Sequence, residues 1–355
     1  MSSAAAALGC PGWTDDLDLG REQPSGVVVL LIDGLGWRQL EAAAEAAPRL
    51  RSGIERVLLA GFPSTTPVGL ACLGTGLPTG EHGLVGASFL LPEEDRLLHP
   101  LGWGDDPHPV ATQPQPTVLE RAERAGLRVR SIGPRAFAQS GLTRAALRGG
   151  EYRGADSVGE LIAGIADDAR DALTYAYWGD LDKTGHVHGV DSSAWREELR
   201  HVDAFVDRLS ARLSRGTLLV ITADHGMVDC QDQDRVDLDR QPGLWDGVAL
   251  LAGEPRMRHV YARRRAAESV LAAWRQTLDG RADVLGRAEA IDAGLFGDVD
   301  PEYRGRIGDV IAIARDRTAL VSRDTDPVVS SLRGQHGATT GDEVEIPLIR
   351  LAGEA

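Results

Sequence analysis

The chain of 355 residues has a single lysine, Lys183, three cysteines and few aromatic side chains. Cys10, Cys72 and Cys230 lie far apart and form no CxxC pair. Their odd number and spacing argue against a disulfide framework and against a zinc knuckle. Aromatics are 5% of the residues while 43% are hydrophobic, so the core must be built mostly from Ala, Val, Leu and Ile. Positive charge is short as well, with a formal net charge of −15. That argues against a basic track for a nucleic-acid polymer and against binding to an anionic membrane surface. A small anionic substrate stays compatible with it, because bound metal ions reverse the field locally. No window approaches the roughly 20 apolar residues of a membrane span. The opening MSSAAAALGCPGW has no basic residue before its weak apolar run, unlike an export signal. The expectation is a soluble, cytoplasmic protein whose partner is a small molecule; its oligomeric state is not legible.

Continuous apolar runs of strand length are present at Val27–Ile32, Val57–Ala60, Leu173–Trp178, Leu218–Thr222 and Val310–Ala314. Helix-like stretches lie between them at Arg38–Ala47, Ala194–Arg215 and Arg264–Leu278. Runs apolar on both faces, alternating with helices, predict an α/β fold: a mostly parallel central sheet with helices on both faces. In such sheets ligands sit at the carboxyl ends of the strands. Leu91–Gln115, rich in Pro, acids, His and Trp, reads as an inserted loop or small cap. A second insertion over 231–309 opens on the polar stretch Gln231–Gly243. Neither has enough apolar residues to predict an independent domain. The expected organisation is one domain over 20–355 with these insertions, after an N-terminal extension of residues 1–19.

Three of the strand-like runs end on charge, in VVVLLIDGLG, TYAYWGDLDKTGH and LLVITADHGM. Asp33, Asp182 and Asp224 therefore fall on the functional rim. Asp182 and His186 are spaced i, i+4, which puts them on one helix face where both could grip an ion. A helix-capping Asp beside a surface His fits the same spacing. Asp224 and His225 are adjacent and would face opposite sides inside a strand. Joint action requires the chain to have turned, and Gly226 suits that turn. His336 is a lone histidine in the loop-like GQHGATTGDE. Asp and His sets with an open position suit catalytic zinc, and two such sites about 3.5–4 Å apart suit phosphoryl transfer. Thr66, in FPSTTPVGLACLGTG, supplies a hydroxyl before a helix-like stretch. A metal can favour its alkoxide, and a helix N-terminus would aim backbone N–H groups at phosphate oxygens. A plain N-cap fits STTP too, and both readings can hold together.

In chain order, LLIDGLG, FPSTTPVGLACLGTGLPTGEHGLVG, DLDKTGHVHG, VITADHGM and GQHG resemble the motifs of the alkaline phosphatase superfamily. The resemblance is closest to its type I phosphodiesterase/nucleotide pyrophosphatase branch. Each motif alone is unspecific; their common order carries the likeness. It implies that Asp33, Thr66, Asp224 and His225 surround one zinc ion, while Asp182, His186 and His336 hold another. Manganese is an alternative metal. It implies Thr66 rather than Thr65 as nucleophile, since Thr66 lies three residues after Pro63 and nine before Thr75-Gly76. His82, in TGEHG, matches a family histidine but reads as structural, and Asp180 fits the DxxGH spacing poorly.

Departures from the family pattern bear on substrate choice. Gly69 stands where the family usually has Asn shortly after the nucleophile, and Ala87 stands where a second Asn donates to a phosphate oxygen. Loss of such a donor weakens binding of charge that develops in the transition state. Ser88, Lys183 or a backbone N–H could substitute. A sulfatase nucleophile context is absent, because Cys72 is followed by Leu73 and Gly74. The later serine signature of a cofactor-independent phosphomutase is not evident. A metal-binding module without catalysis would have no need of the Thr66 hydroxyl. The resemblance implies a hydrolase of phosphodiesters or nucleotide pyrophosphates acting through a phospho-threonine, with phosphomonoesters or phosphonates as alternative substrates. Ala87, Trp103 and Lys183 are the candidate substrate-contact positions.

Overall fold

In the computed structural model, which describes residues 1–167 and 169–355, seven strands form the central sheet. They are β1 (Gly26–Ile32), β2 (Ile54–Leu59), β3 (Arg128–Gly133), β4 (Glu151–Gly154), β5 (Ala172–Trp178), β6 (Thr217–Thr222) and β7 (Glu345–Ala352). Their order across the sheet is β2-β7-β6-β1-β5-β3-β4. β1 runs parallel to β5 and β6, and β3 runs parallel to β4 and β5. β7 is reversed, pairing antiparallel with both β6 and β2.

Every residue of β1 is buried, and its two faces enter different apolar clusters. Val27, Val29 and Leu31 pack on one side, and Val28, Leu30 and Ile32 on the other. This is why the run lacks polar alternation: a parallel sheet covered on both faces has no wet side. The first cluster includes Leu70 and Ala71 of helix α1 (Thr66–Thr75). Helix α2 (Asp180–His188) follows β5 and leads into α3 (Ser193–Ser210). On α3, Trp195, Leu199, Val202, Phe205, Val206 and Leu209 recur at helical spacing and fill the second cluster. α3 starts where the Ser192 hydroxyl accepts the Trp195 N–H at 3.1 Å, a side-chain N-cap.

The expected mostly parallel sheet, covered by helices on both faces, is the one observed. The run Val310–Ala314 is a strand, but it belongs to a separate four-stranded sheet. That sheet has the order Val248–Glu254, Met257–Ala262, Val310–Ala314, Ala282–Gly286, antiparallel throughout. Leu251, Val260, Val270, Trp274, Val284 and Ala312 build a core of its own beneath it. Leu91–Gln115 begins within a short antiparallel hairpin, at the last residue of the strand Phe89–Leu91, and includes the partner strand Arg96–Leu98. Near the start of the chain, Ala4, Ala5, Cys10 and Leu19 are buried against the main core. The three cysteines are free. No helix among the described residues is long and apolar enough to cross a membrane.

Candidate active site

The three central strands β6, β1 and β5 lie side by side, and each runs out into an acid. Asp33 follows β1 directly, Asp224 comes two residues after β6, and Asp182 stands in the first turn of α2 after β5. Register sets Leu31 beside Thr222 and Ile32 beside Trp178, so the three exits share one stretch of rim. His336 arrives from a loop after the two-residue strand Gly334–Gln335, which pairs with Val228–Asp229 just past His225.

These residues gather into two clusters, Asp33–Asp224–His225 and Asp182–His186–His336, with donor atoms in each within 4.8 Å of one another. In the first, Nε2 of His225 is 3.4 Å from Asp33 Oδ1 and 3.5 Å from Asp224 Oδ2. In the second, Nε2 of His186 is 3.3 Å from Asp182 Oδ2 and 3.3 Å from His336 Nε2. The His225 and His336 rings stack at 3.7 Å, which joins the clusters.

Each imidazole is oriented by its other nitrogen. Nδ1 of His225 donates to Gly226 O at 3.0 Å, that of His336 to Ser64 O at 2.9 Å, and that of His186 to Gly334 O at 2.8 Å. A carbonyl oxygen only accepts, so the proton sits on Nδ1 and each Nε2 turns a lone pair inward. The carboxylates are divided in the same way. Asp33 Oδ2 accepts the Tyr177 hydroxyl at 2.5 Å, and Asp224 Oδ1 accepts the N–H groups of Gly34 at 3.3 Å and His225 at 3.1 Å. Asp33 Oδ1, Asp224 Oδ2 and Asp182 Oδ1 are buried without a hydrogen-bond partner.

Burial, and then the nearby Asp224 charge, hold Asp33 well above the usual carboxylate range. Burial also raises Asp182 well above that range and brings Asp224 to about 6. It pushes His225 down to about 4 and His336 well below the ordinary imidazole value. The inward Nε2 atoms and the acid oxygens without a hydrogen-bond partner together form a donor set that could hold a cation. Nitrogen and oxygen donors without thiolate suit a divalent cation such as zinc or manganese.

Thr66 is the first residue of α1, and its Oγ1 lies 3.2 Å from His225 Nε2. In the first turn of α1 Pro67 has no N–H and the Gly69 N–H donates to Thr65 O at 2.9 Å, so the N–H groups that turn can offer an anion are those of Thr66 and Val68. Thr65, one residue earlier, turns its hydroxyl to Glu254 Oε2 at 3.4 Å. Gly69 stands where α1 crosses the end of β6: a Cβ there would come within 2.5 Å of Asp224 Cβ. No asparagine fits at that position without moving Asp224.

Ala87 is half-buried, and the adjacent Ser88 hydroxyl is committed to Gly253, donating to its O at 3.1 Å and accepting its N–H at 2.9 Å. Lys183 is exposed, one position round α2 from Asp182. Trp103 is 4% exposed within the main core, and its indole N–H donates to Pro107 O at 2.8 Å. From the same insertion Leu101, not Trp103, borders the cavity beside Thr66. That cavity, of about 70 Å³, is lined by Thr66, Phe137, Tyr152, Tyr175 and Tyr177 among others. His82 is fully buried, its Nδ1 accepting Leu84 N–H at 3.1 Å, as a structural residue would be. Asp180 is exposed at the start of α2.

Ser64, Tyr177 and Glu254 were not singled out from the sequence. Ser64 lies inside the STTP motif, and its hydroxyl donates to Ala338 O at 2.7 Å, tying the loop of Thr66 to that of His336. Tyr177 stands one residue before the end of a strand that delivers a candidate ligand, which is a usable signal. Glu254 comes from the second sheet, and nothing local marks it.

A family profile described as type I phosphodiesterase / nucleotide pyrophosphatase matches residues 27–339. A phosphopentomutase of a Chelativorans species is 34% identical over 155 residues, 42% of this chain and 36% of the relative. The match thus spans about a third of that relative's length. Human ectonucleotide pyrophosphatase / phosphodiesterase 5 superimposes with a TM-score of 0.72 at 18% identity, covering 92% of this chain and 87% of that one. Phosphonoacetate hydrolase of Sinorhizobium meliloti, in complex with phosphonoformate, gives 0.69 at 19% identity, covering 92% and 90%. At those identities the structural likeness speaks for the fold.

Proposed function

Because the chain belongs to the type I phosphodiesterase / nucleotide pyrophosphatase family, whose members are hydrolases of phosphoric ester and anhydride bonds, we propose that it cleaves phosphodiesters or nucleotide pyrophosphates through a phospho-threonine at Thr66. The observation that carries this reading is the Thr66 hydroxyl at the helix start, 3.2 Å from His225 Nε2, beside two acid–imidazole clusters. Asp33, Asp224 and His225 would hold one zinc ion together with Thr66, and Asp182, His186 and His336 the other. Bound there, the cations would favour the Thr66 alkoxide and neutralise phosphoryl oxygens.

The remaining work falls to the chain. Tyr177 fixes Asp33 so that its free oxygen faces the cluster. The first turn of α1 offers N–H groups to the phosphoryl oxygens. Thr66 Oγ1 forms a bond to phosphorus as the bond to the leaving oxygen breaks, and the leaving group takes up a proton. Water then displaces Thr66 from phosphorus, releasing the phosphate product and restoring the hydroxyl.

The cavity beside Thr66 supports an ester with a neutral substituent. Its twelve lining residues are apolar, aromatic or hydroxylic, and none is charged. The carboxylate of a phosphonoacetate would find no cation there, which weighs against the phosphonate alternative. A ring on a diester would gain binding energy that a bare monoester cannot collect. We place this activity in the cytoplasm, with residues 20–355 acting as one unit.

The test is a substrate panel with zinc present: bis-p-nitrophenyl phosphate, p-nitrophenyl phosphate, a dinucleotide pyrophosphate and phosphonoacetate. The expected result is a higher kcat/KM for the diester and pyrophosphate. A consistently higher value for the monoester would make the protein a phosphomonoesterase. The likeness to phosphopentomutases motivates one further arm, because a mutase returns the phosphoryl group to a second sugar hydroxyl. Interconversion of ribose 1- and 5-phosphates without release of phosphate would replace the hydrolytic reading.

A further inference from the structure

A fourth buried carboxylate stands near the two clusters and comes from outside the central sheet. Glu254 ends the strand Val248–Glu254, is 7% exposed, and has a buried Oε1 with no hydrogen-bond partner. Its Oε2 lies 3.6 Å from Nδ1 of His336, the nitrogen whose proton is donated to Ser64 O. The acid thus faces the back of the ring whose Nε2 opens toward Asp182 and His186. The approach is close: a Cβ at Gly337 would come within 2.8 Å of Glu254 Oε1. Only a glycine after His336 leaves the carboxylate its place.

The hairpin that presents Glu254 is held firmly to the segment that carries His336. Arg256 makes a two-point contact with Glu343, at 2.9 and 2.7 Å, with both side chains fully buried. Arg258 binds Asp326 at 2.6 Å. Both guanidinium groups are committed to those acids, and Glu254 Oε2 is held between the Thr65 hydroxyl, which donates to it at 3.4 Å, and the imidazole N–H edge of His336.

We propose that Glu254 is a positioning residue for His336, holding and polarising its Nδ1–H side and thereby strengthening cation binding at Asp182–His186–His336. This rests on the two-metal reading above. A carboxylate behind a metal-binding histidine fixes the ring and raises its basicity, and its loss costs about 10–100-fold in metal affinity.

The experiment titrates metal-free protein with zinc against a chromophoric chelator, and with cobalt followed by its visible absorption. Wild type should show two binding steps, one of which His336→Ala removes. Glu254→Gln keeps the volume and replaces the carboxyl group by an amide. It should weaken that same step about 10–100-fold, shift its cobalt bands and leave the other step in place. Glu254→Asp, with its carboxyl group drawn back, should fall between, and it serves as the readout if the Gln variant does not fold. Titration of either variant indistinguishable from wild type would overturn the role of Glu254 alone. Equal weakening of both steps would show general loosening and overturn it too. Wild type that binds no ion would overturn the two-metal reading itself.

Discussion

Thr66 and Thr65 are neighbours with opposite outlooks: one hydroxyl meets His225 and the other meets Glu254. The difference follows from where the chain enters α1, since the last extended residue and the first helical one project in different directions. Thr66→Ala is expected to lower kcat/KM for a diester by about 10³-fold or more, in line with losses seen when a nucleophile is removed. Two ions should still bind, because the Asp and His ligands are untouched. Thr65→Ala should be much milder; kinetics of the pair with metal content measured alongside checks this, and the reverse order would move the nucleophile by one residue. Single residues also explain where family likeness stops. Gly69 lacks a side chain because Asp224 occupies that space, a packing constraint that no motif spacing reveals. Ser88 was a reasonable stand-in for the donor absent at Ala87, yet its hydroxyl is spent on Gly253. Side-chain partners of that kind become visible only when the second sheet is in place.

The elements that deliver the clusters were legible because a buried apolar run that stops on Asp has no packing reason to do so. β1, β5 and β6 were each marked in that way, and periodicity identified α3 by its apolar stripe. β3 and β7 escaped for physical reasons. RVRSIG mixes arginine into its alternation, and Pro347 inside β7 argues against a strand. Val310–Ala314 read correctly as a buried strand, but burial on both faces says nothing about which sheet receives it. The second sheet's attachment was equally hidden, since Arg256 and Glu343 are 87 residues apart. That buried ion pair has a measurable consequence. Arg256→Ala would leave the Glu343 carboxylate uncompensated, and breaking a buried pair in this way costs about 3–5 kcal/mol. Urea unfolding should show that loss, and neutralising the partner with Glu343→Gln in the same chain should recover part of it. Additive single-variant effects would mean that the two side chains are not coupled.

Across the whole molecule, the buried acids make stability without metal depend on pH in a direction that can be worked out. Asp33, Asp182 and Glu254 are held well above their ordinary values by burial. The folded chain therefore keeps protons that the unfolded chain has released above about pH 4. Stability falls as pH rises from that point through each folded value. His225, depressed to about 4, works in the opposite sense, contributing stability that grows from there to about 6.5 and then stops changing. The Met1 amino group, lowered to about 6, continues to oppose the acids up to about pH 8. Above about pH 6.5, where the imidazoles stop contributing, chelator-treated protein should melt at progressively lower temperature as pH rises through the folded values of these acids. Two bound cations would remove the reason for the acids to keep protons, and they stabilise the folded state by mass action. The zinc-loaded protein should therefore melt higher throughout, and the gap from the metal-free form should widen toward alkaline pH. Thermal melts of both forms across that range check the point. Parallel pH profiles, or a metal-free form that gains stability over the window, would mean that the clustered acids are not the groups a cation has to satisfy.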